Sequence, residues 1–79
     1  MRHSAKLKET LKKLPEEIRR KFYKQASFLQ FNLNHPSLHA QKYDEINNVW
    51  QARIDKHYRF YFSIENDTYT LLYVKKHND

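Results

Sequence analysis

The first part of the chain has apolar residues at helical spacing. Apolar side chains recur every three or four positions, which places them along one side of a helix. They are Leu7, Leu11, Leu14, Ile18, Phe22, Ala26, Leu29 and Leu33. Pro15 interrupts this stripe, and proline is best placed in the first turn of a helix. The pattern predicts a hairpin of two helices, at about 5–13 and 15–31. In a domain this small, the apolar side of the helices is expected to be buried in a core, and this is favoured over a partner-binding groove.

The spacing becomes alternating after a predicted loop at residues 32–41. Residues 49–54, 58–64 and 69–74 are rich in aromatic and β-branched side chains and are separated by short polar turns. A weaker strand is predicted at 42–46. Two helices followed by consecutive strands predict a single α+β domain, residues 1–79, with the helical hairpin on one face of a three- to four-stranded antiparallel sheet.

The register of the first long hairpin follows from its apolar face. A three-residue loop at 55–57 pairs Ala52 with Phe60 and keeps one face apolar, whereas a two-residue turn mixes apolar and charged residues on both faces. The three-residue loop is therefore predicted. It places Arg53 opposite Arg59 on the second face of the sheet.

The second hairpin is predicted to turn at Asn66-Asp67, because both residue types tolerate positive φ. This turn pairs Phe62 with Leu71 and Phe60 with Tyr73, so Tyr73 is expected in the core against the helical stripe. The second face then carries Gln51, Arg53, Arg59, Tyr61, Leu72 and Val74.

The second face has two possible readings. Like charges directly opposite on a sheet destabilise it by up to about 1 kcal/mol, so removing one arginine is expected to be neutral or slightly stabilising. The planar guanidinium fork suits phosphate, which suggests a bound anion, but the spacing alone slightly favours a solvated face with splayed side chains. Tyrosines on these strands could stack on nucleobases, although strand tyrosines more often serve packing: Tyr58, Tyr61 and Tyr73.

Charge and composition narrow the function classes. The 79 residues include 15 Lys and Arg against 9 Asp and Glu, a formal net charge of +6, which favours a polyanionic or acidic partner. The absence of cysteine and glycine excludes disulfides, thiol catalysis, a P-loop and a dinucleotide-binding fingerprint. No apolar run suggests a membrane span or a secretory signal, so a cytoplasmic protein is expected.

The histidines give weaker signals. His35 and His39 are four residues apart, but Pro36 between them indicates a loop and no third ligand is evident, so no metal site is predicted. His77 follows the last predicted strand. Histidine can transfer protons near neutral pH, but a terminal histidine is more often only solvated. No residue is singled out as a nucleophile.

Five short motifs follow one another along the chain: Leu11-Lys-Lys-Leu-Pro-Glu-Glu-Ile, Asn34-His-Pro-Ser-Leu-His-Ala-Gln-Lys-Tyr, Val49-Trp-Gln-Ala-Arg-Ile, His57-Tyr-Arg-Phe-Tyr-Phe and Leu72-Tyr-Val-Lys-Lys-His. In this order they resemble the RelE/ParE superfamily, the toxins of type II toxin–antitoxin systems. The resemblance covers nearly the whole chain and implies two helices on an antiparallel sheet. Members usually begin with a β-strand, whereas only about four residues precede the first predicted helix here, so a smaller sheet without that strand is expected.

The resemblance also implies a catalytic site. RelE-like members cut mRNA in the ribosomal A site without a metal or cofactor. Their active concavity holds a basic residue of the Trp-x-x-Arg strand and the arginine of Tyr-Arg, which match Arg53 and Arg59. A basic residue near the C-terminus matches His77, and a lysine after the His-Pro loop matches Lys42. The implied roles are phosphate binding by Arg59 and Arg53, general acid or base catalysis by His77, and electrostatic assistance by Lys42.

Three functions remain open at this point. The first is a ribosome-dependent mRNA endonuclease held inactive by an acidic cognate antitoxin. The second is a non-enzymatic ParE-like toxin that binds DNA gyrase, and the third is a basic RNA- or partner-binding domain without catalysis. His77 together with the two arginines favours the nuclease, because a gyrase binder needs no proton transfer. Family nucleases often carry a tyrosine or acidic residue near the end as well, whereas Asn78 and Asp79 follow His77 here.

Overall fold

The computed structural model describes residues 1–77 and shows two α-helices packed on one face of a five-stranded sheet. In chain order the elements are β1 (Arg2–His3), α1 (Ala5–Lys13), α2 (Glu16–Phe31), a 3₁₀ helix (Pro36–Leu38), β2 (Gln41–Asp44), β3 (Val49–Arg53), β4 (Tyr58–Glu65) and β5 (Thr68–Lys76). The strand order is β1-β5-β4-β3-β2, and every pair is antiparallel except β1 with β5. The predicted α+β class is confirmed, but the predicted number of strands is too low.

Local capping sets the limits of both helices. The Ser4 hydroxyl accepts a hydrogen bond from the Leu7 N–H at 3.0 Å and so begins α1. Pro15 occupies the position before α2 and ends the first helix, and the acidic pair Glu16 and Glu17 lies at the positive end of the second helix dipole. None of the helices within residues 1–77 combines the length and apolar character of a membrane span.

The strand before the first helix exists, although it was expected to be missing. Arg2 and His3 pair in parallel with Thr70 and Leu71, and the pairing continues with a 3.0 Å bond from the Ser4 N–H to the Leu71 carbonyl. Both strand residues are exposed. A strand this short pairs through its backbone alone, so the side-chain pattern cannot reveal it.

The core lies between the helices and the apolar face of the sheet. At its centre the Phe22 ring packs edge-on against the Phe60 ring, with centroids 5.4 Å apart. The buried apolar residues are Leu7, Leu11, Phe22, Ala26, Leu29, Leu38, Ala52, Ile54, Phe60, Phe62, Leu71 and Val74. The apolar stripe of the sequence is thus core, as expected.

The register of the hairpin between β3 and β4 agrees with the prediction. Ala52 pairs with Phe60, and Arg53 pairs with Arg59. The loop between them is closed by a 3.0 Å bond from the Ile54 N–H to the Tyr58 carbonyl. The three-residue loop at 55–57 is therefore confirmed.

The register between β4 and β5 agrees with the prediction near the turn and differs from it beyond Leu72. The turn has positive φ at Asn66 and Asp67, and Phe62 pairs with Leu71 as expected. A bulge then leaves Leu72 without a Cα partner and shifts the rest of β5 by one residue.

This bulge exchanges the two faces of β5 beyond Leu72. Tyr73 pairs with Tyr61 and Val74 pairs with Phe60, so the predicted pairing of Phe60 with Tyr73 is wrong. Val74 is buried in the core, and Tyr73 lies on the face that carries no helix. A shift of one residue moves every following side chain to the opposite face, because side chains alternate with a period of two.

Candidate functional site

A row of basic residues crosses three strands on the helix-free face of the sheet. Arg53 of β3, Arg59 of β4 and Lys75 of β5 are consecutive cross-strand partners. Partners in an antiparallel sheet have Cα atoms about 5 Å apart, so the three backbones lie within roughly 10 Å. We call these three residues the cation row. The predicted juxtaposition of the two arginines is confirmed, whereas Lys75 was missed because the bulge was not foreseen.

Backbone carbonyls of the loop at 55–57 and its flank hold the Arg59 guanidinium. Its Nη1 donates to the Asp55 carbonyl at 2.6 Å and to the Tyr58 carbonyl at 3.1 Å. Arg59 is half-buried. The positive charge is therefore fixed by the loop instead of moving freely in solvent.

The Asp55 carboxylate shapes that loop and anchors it to α2. Its Oδ1 accepts hydrogen bonds from the backbone N–H groups of His57 and Tyr58 at 2.8 and 2.9 Å, and its Oδ2 lies 3.4 Å from the Lys21 Nζ. Burial raises the pKa of Asp55, but these backbone hydrogen bonds and Lys21 outweigh that effect, so the pKa is below its ordinary value. The carboxylate thus stays ionised and keeps the loop in one shape.

A buried glutamine fastens the end of β3 to the helical layer. Gln25 is 5% exposed, and its Nε2 donates to the Arg53 carbonyl at 2.8 Å and to the Ser37 carbonyl at 3.1 Å. This residue was not predicted from the sequence. Its position in the sequence could have indicated its role, because a residue three positions after Phe22 and four before Leu29 lies on the side of the helix that faces the core.

Three tyrosines, Tyr43, Tyr61 and Tyr73, form a cluster beside the cation row. Tyr61 and Tyr73 stack with centroids 4.8 Å apart, and Tyr43 meets the Tyr61 ring edge-on, also at 4.8 Å. The Tyr61 hydroxyl donates to the Gln51 Oε1 at 3.1 Å. We call the three rings the tyrosine cluster.

Burial raises the pKa of the two inner phenols, Tyr61 and Tyr73. Burial is the main cause that raises the pKa of Tyr61, the neighbouring phenols raise it further, and Arg59 lowers it. The pKa of Tyr73 is raised by burial and by the nearby Tyr43 and Asp44. Both groups therefore stay protonated at neutral pH and can donate hydrogen bonds.

His77 lies at the end of β5, close to the loop that holds Arg59. Its backbone N–H donates to the His57 carbonyl at 2.6 Å, which extends the pairing of β4 with β5 one residue beyond Lys76. Alternation from Lys75 favours the helix-free side for the imidazole. Asn78 and Asp79 lie outside the described residues.

The structure does not bring Lys42 to the cation row. Lys42 is the cross-strand partner of Trp50, and its Nζ lies over the indole ring, 4.9 Å from the centroid. The Trp50 ring stacks on Phe62 of the core, which places Lys42 on the helix side of the sheet. The grouping implied by the resemblance therefore does not hold for Lys42, because its neighbour Tyr43 is the residue of β2 that reaches Tyr61 on the helix-free side.

The two loop histidines serve local structure. The His35 ring stacks on Phe28 with centroids 4.0 Å apart, and its Nδ1 accepts a hydrogen bond from the Ser37 N–H at 3.2 Å. His39 has a positive φ at the end of the 3₁₀ helix. Across residues 1–77, no three side chains of metal-binding type come together.

The arrangement can bind an anion and stabilise negative charge that develops on it. Arginine stays protonated at any physiological pH, and its planar donors match phosphate oxygens. Charges that are already in place need no reorganisation during a reaction and so stabilise a transition state efficiently. The helix-free face therefore combines phosphate-binding chemistry with aromatic surface.

Comparisons with known proteins identify the fold. No family model and no curated protein matches the chain significantly. A chain in the crystal structure of the RelB–RelE antitoxin–toxin complex from Methanococcus jannaschii is similar, with a TM-score of 0.80 and 20% identity over 96% of this chain and 89% of that one. The YoeB/ParE toxin from Agrobacterium tumefaciens matches with a TM-score of 0.79 and 8% identity over 98% and 96%.

A third match is a chain of the YoeB–YefM complex from Staphylococcus aureus, with a TM-score of 0.76 and 13% identity over 98% of this chain and 94% of that one. Identities this low establish structural likeness and nothing finer. The chain has the fold of the RelE, YoeB and ParE toxins, which confirms at the level of fold the resemblance in the sequence motifs.

Proposed function

We propose that this chain is the toxin of a type II toxin–antitoxin system and that it cleaves mRNA on the ribosome. The cation row is the observation that carries the proposal, because three basic residues from three strands converge on one helix-free surface. The likeness in fold to chains from toxin–antitoxin complexes supports it. Like charges are costly on adjacent strands, and a bound phosphate removes that cost.

The proposed reaction uses the ribose of the RNA itself. The 2′-hydroxyl oxygen loses its proton to a base and attacks the adjacent phosphorus. The bond from phosphorus to the 5′-oxygen breaks, and that oxygen takes a proton from an acid, which leaves a 2′,3′-cyclic phosphate and a 5′-hydroxyl. His77 serves as the base or the acid, since imidazole exchanges protons near neutral pH.

The arginines bind the scissile phosphate in this proposal. A guanidinium has five N–H donors, and the two carbonyl bonds of Arg59 use only Nη1, so its remaining edge can face a phosphate. Gln25 holds the carbonyl of Arg53, and Asp55 shapes the loop that fixes Arg59. The phosphate site is thus prepared before RNA arrives, and Lys75 adds a third charge to it.

The proposed regulator is an acidic antitoxin. The net charge of +6 attracts an acidic protein and the ribosome alike, since both present negative charge. The similar chains from Methanococcus jannaschii and Staphylococcus aureus come from complexes with the antitoxins RelB and YefM. An antitoxin that covers the cation row would exclude mRNA from it.

The test is induction of the protein in cells, followed by mapping of new mRNA 5′ ends within reading frames. The wild type should produce such ends, and Arg59→Ala should reduce them about 10²- to 10³-fold, the usual effect of removing one transition-state donor. Lys75→Ala should reduce cleavage about tenfold. Lys76→Ala is the matched control, because Lys76 is the next residue on β5, is also exposed and alternates to the helix side.

Two results would contradict the proposal. Equal effects of the Lys75 and Lys76 variants would show that total charge matters and the cation row does not. Growth arrest without new 5′ ends, accompanied by inhibition of DNA gyrase, would replace the nuclease by the ParE-like alternative.

A further inference from the structure

The tyrosine cluster is shaped by two irregularities of the sheet. Tyr43 lies at a bulge in β2, between the paired residues Lys42 and Asp44, and Tyr73 follows the bulge of β5. The two bulged strands lie on opposite sides of Tyr61 in β4, and both of their tyrosines contact its ring. Bulges commonly redirect side chains beside functional sites.

The aromatic surface left open in the cluster belongs to Tyr43. Tyr61 is only 5% exposed. The ring of Tyr73 is approached by the Nζ atoms of Lys6 and Lys75, at 4.8 and 5.4 Å from its centroid. Tyr43 is 54% exposed, and its ring forms a T-shaped pair with the Tyr61 ring.

The tyrosine cluster adjoins the cation row through Tyr61. Tyr61, against which Tyr43 packs, is two residues from Arg59 along β4, a distance of about 6.8 Å. A nucleotide carries an anionic phosphate and a flat base within one small unit. An unpaired base stacks on an aromatic ring in single-stranded RNA recognition, whatever its sequence.

We propose that Tyr43, supported by Tyr61 and Tyr73, is the stacking platform for an unpaired nucleobase of the RNA whose phosphate the cation row binds. This inference rests on the proposed function and adds a base-binding subsite to it. Tyr61 acts as a positioning residue because its ring contacts the Tyr43 ring, and Tyr73 supports Tyr61 by stacking on it.

The experiment measures equilibrium binding of a short single-stranded RNA with 2′-O-methyl sugars, which the protein cannot cleave, by fluorescence anisotropy. Tyr43→Ala should weaken binding about tenfold to a hundredfold, and Tyr43→Phe should bind as the wild type does. Tyr23→Ala is the matched control, because Tyr23 is 52% exposed but lies on α2, on the helix side. Its binding should not change.

A second probe separates base stacking from phosphate binding. Replacing one base of the RNA by an abasic unit should weaken its binding to the wild type. The same replacement should not weaken binding to Tyr43→Ala any further, since that variant already lacks the ring on which the base stacks. The salt dependence should stay as in the wild type for Tyr43→Ala and become shallower for Arg59→Ala, which loses a phosphate contact.

The inference is overturned if Tyr43→Ala binds the intact RNA as tightly as the wild type, or if the abasic unit weakens both proteins equally. If either result is found in a protein that still cleaves mRNA, the stacking role of Tyr43 is wrong and the proposed function stands. If the abasic unit affects the wild type but not Tyr43→Ala, and the protein cleaves no mRNA, the stacking role stands and the proposed nuclease activity is wrong.

Discussion

Replacing Arg59 by alanine changes two contributions to stability that have opposite signs. The side chain donates two hydrogen bonds to the carbonyls of Asp55 and Tyr58, which stabilises the folded loop. The same charge lies opposite Arg53 and Lys75, which destabilises the sheet. The sequence showed only the repulsion, and for that reason it predicted a neutral or slightly stabilising change.

The magnitudes favour a small net loss. A hydrogen bond from a charged group contributes about 1.5–3 kcal/mol to stability. Because Arg59 is partly exposed, its two hydrogen bonds contribute less than this each, roughly 2–3 kcal/mol together. Each like-charge neighbour costs about 0.2–1 kcal/mol. Arg59→Ala should therefore lower the free energy of unfolding by about 1 kcal/mol, which lowers Tm by about 4–8 °C in a domain of this size.

The salt dependence of this loss is the sharper test. Raising the ionic strength from about 0.1 M to 1 M shortens the screening length from about 10 to 3 Å, which removes repulsion in the wild type and leaves short hydrogen bonds intact. The destabilisation by Arg59→Ala should therefore grow with salt in urea titrations followed by circular dichroism. Lys76→Ala should stay within about 0.5 kcal/mol of the wild type. A variant more stable than the wild type, or a loss that shrinks with salt, would refute this reasoning.

Three further outcomes are expected. Phe60→Ala should cost about 3–5 kcal/mol in urea titrations, because it leaves a cavity against Phe22 at the centre of the core, and a melt like the wild type's would contradict that packing. Because the pKa of Asp55 is lower in the folded than in the unfolded protein, its ionised carboxylate stabilises the fold above about pH 4, and this stability is lost as the pH falls through the pKa of the folded state. The Tm of Asp55→Asn should therefore decline less with acid than the Tm of the wild type, and parallel declines would contradict this role of Asp55. His77→Ala should keep the wild-type Tm while mRNA cleavage falls by about 10²-fold, and undiminished cleavage would remove His77 from the mechanism.

Local patterns were enough for the helices and one hairpin. The helices begin directly after Ser4 and after Pro15, because their boundaries depend on a capping hydroxyl and on a proline that are visible in the sequence. The register of Arg53 with Arg59 was also predictable, because only one loop length keeps the apolar residues on one face. The pair at the centre of the candidate site could therefore be found without coordinates.

The rest of the site depended on residues that are distant in the chain. Gln25 becomes meaningful only when α2 lies over the end of β3 and brings its amide to the Arg53 carbonyl. Arg59 is fixed by backbone carbonyls, and no side-chain pattern records a backbone acceptor.

The sequence by itself determined the α+β class, the two helices and the facing arginines, because periodicity, caps and turns act over a few neighbouring residues. Tertiary structure decided on which face of the sheet Tyr73 and Lys75 lie. The bulge at Leu72 arises from the pairing of β5 with β4, and the alternation of apolar and polar residues within β5 does not reveal it. It also decided that β1 forms, because two residues pair only where a neighbouring strand already offers its edge.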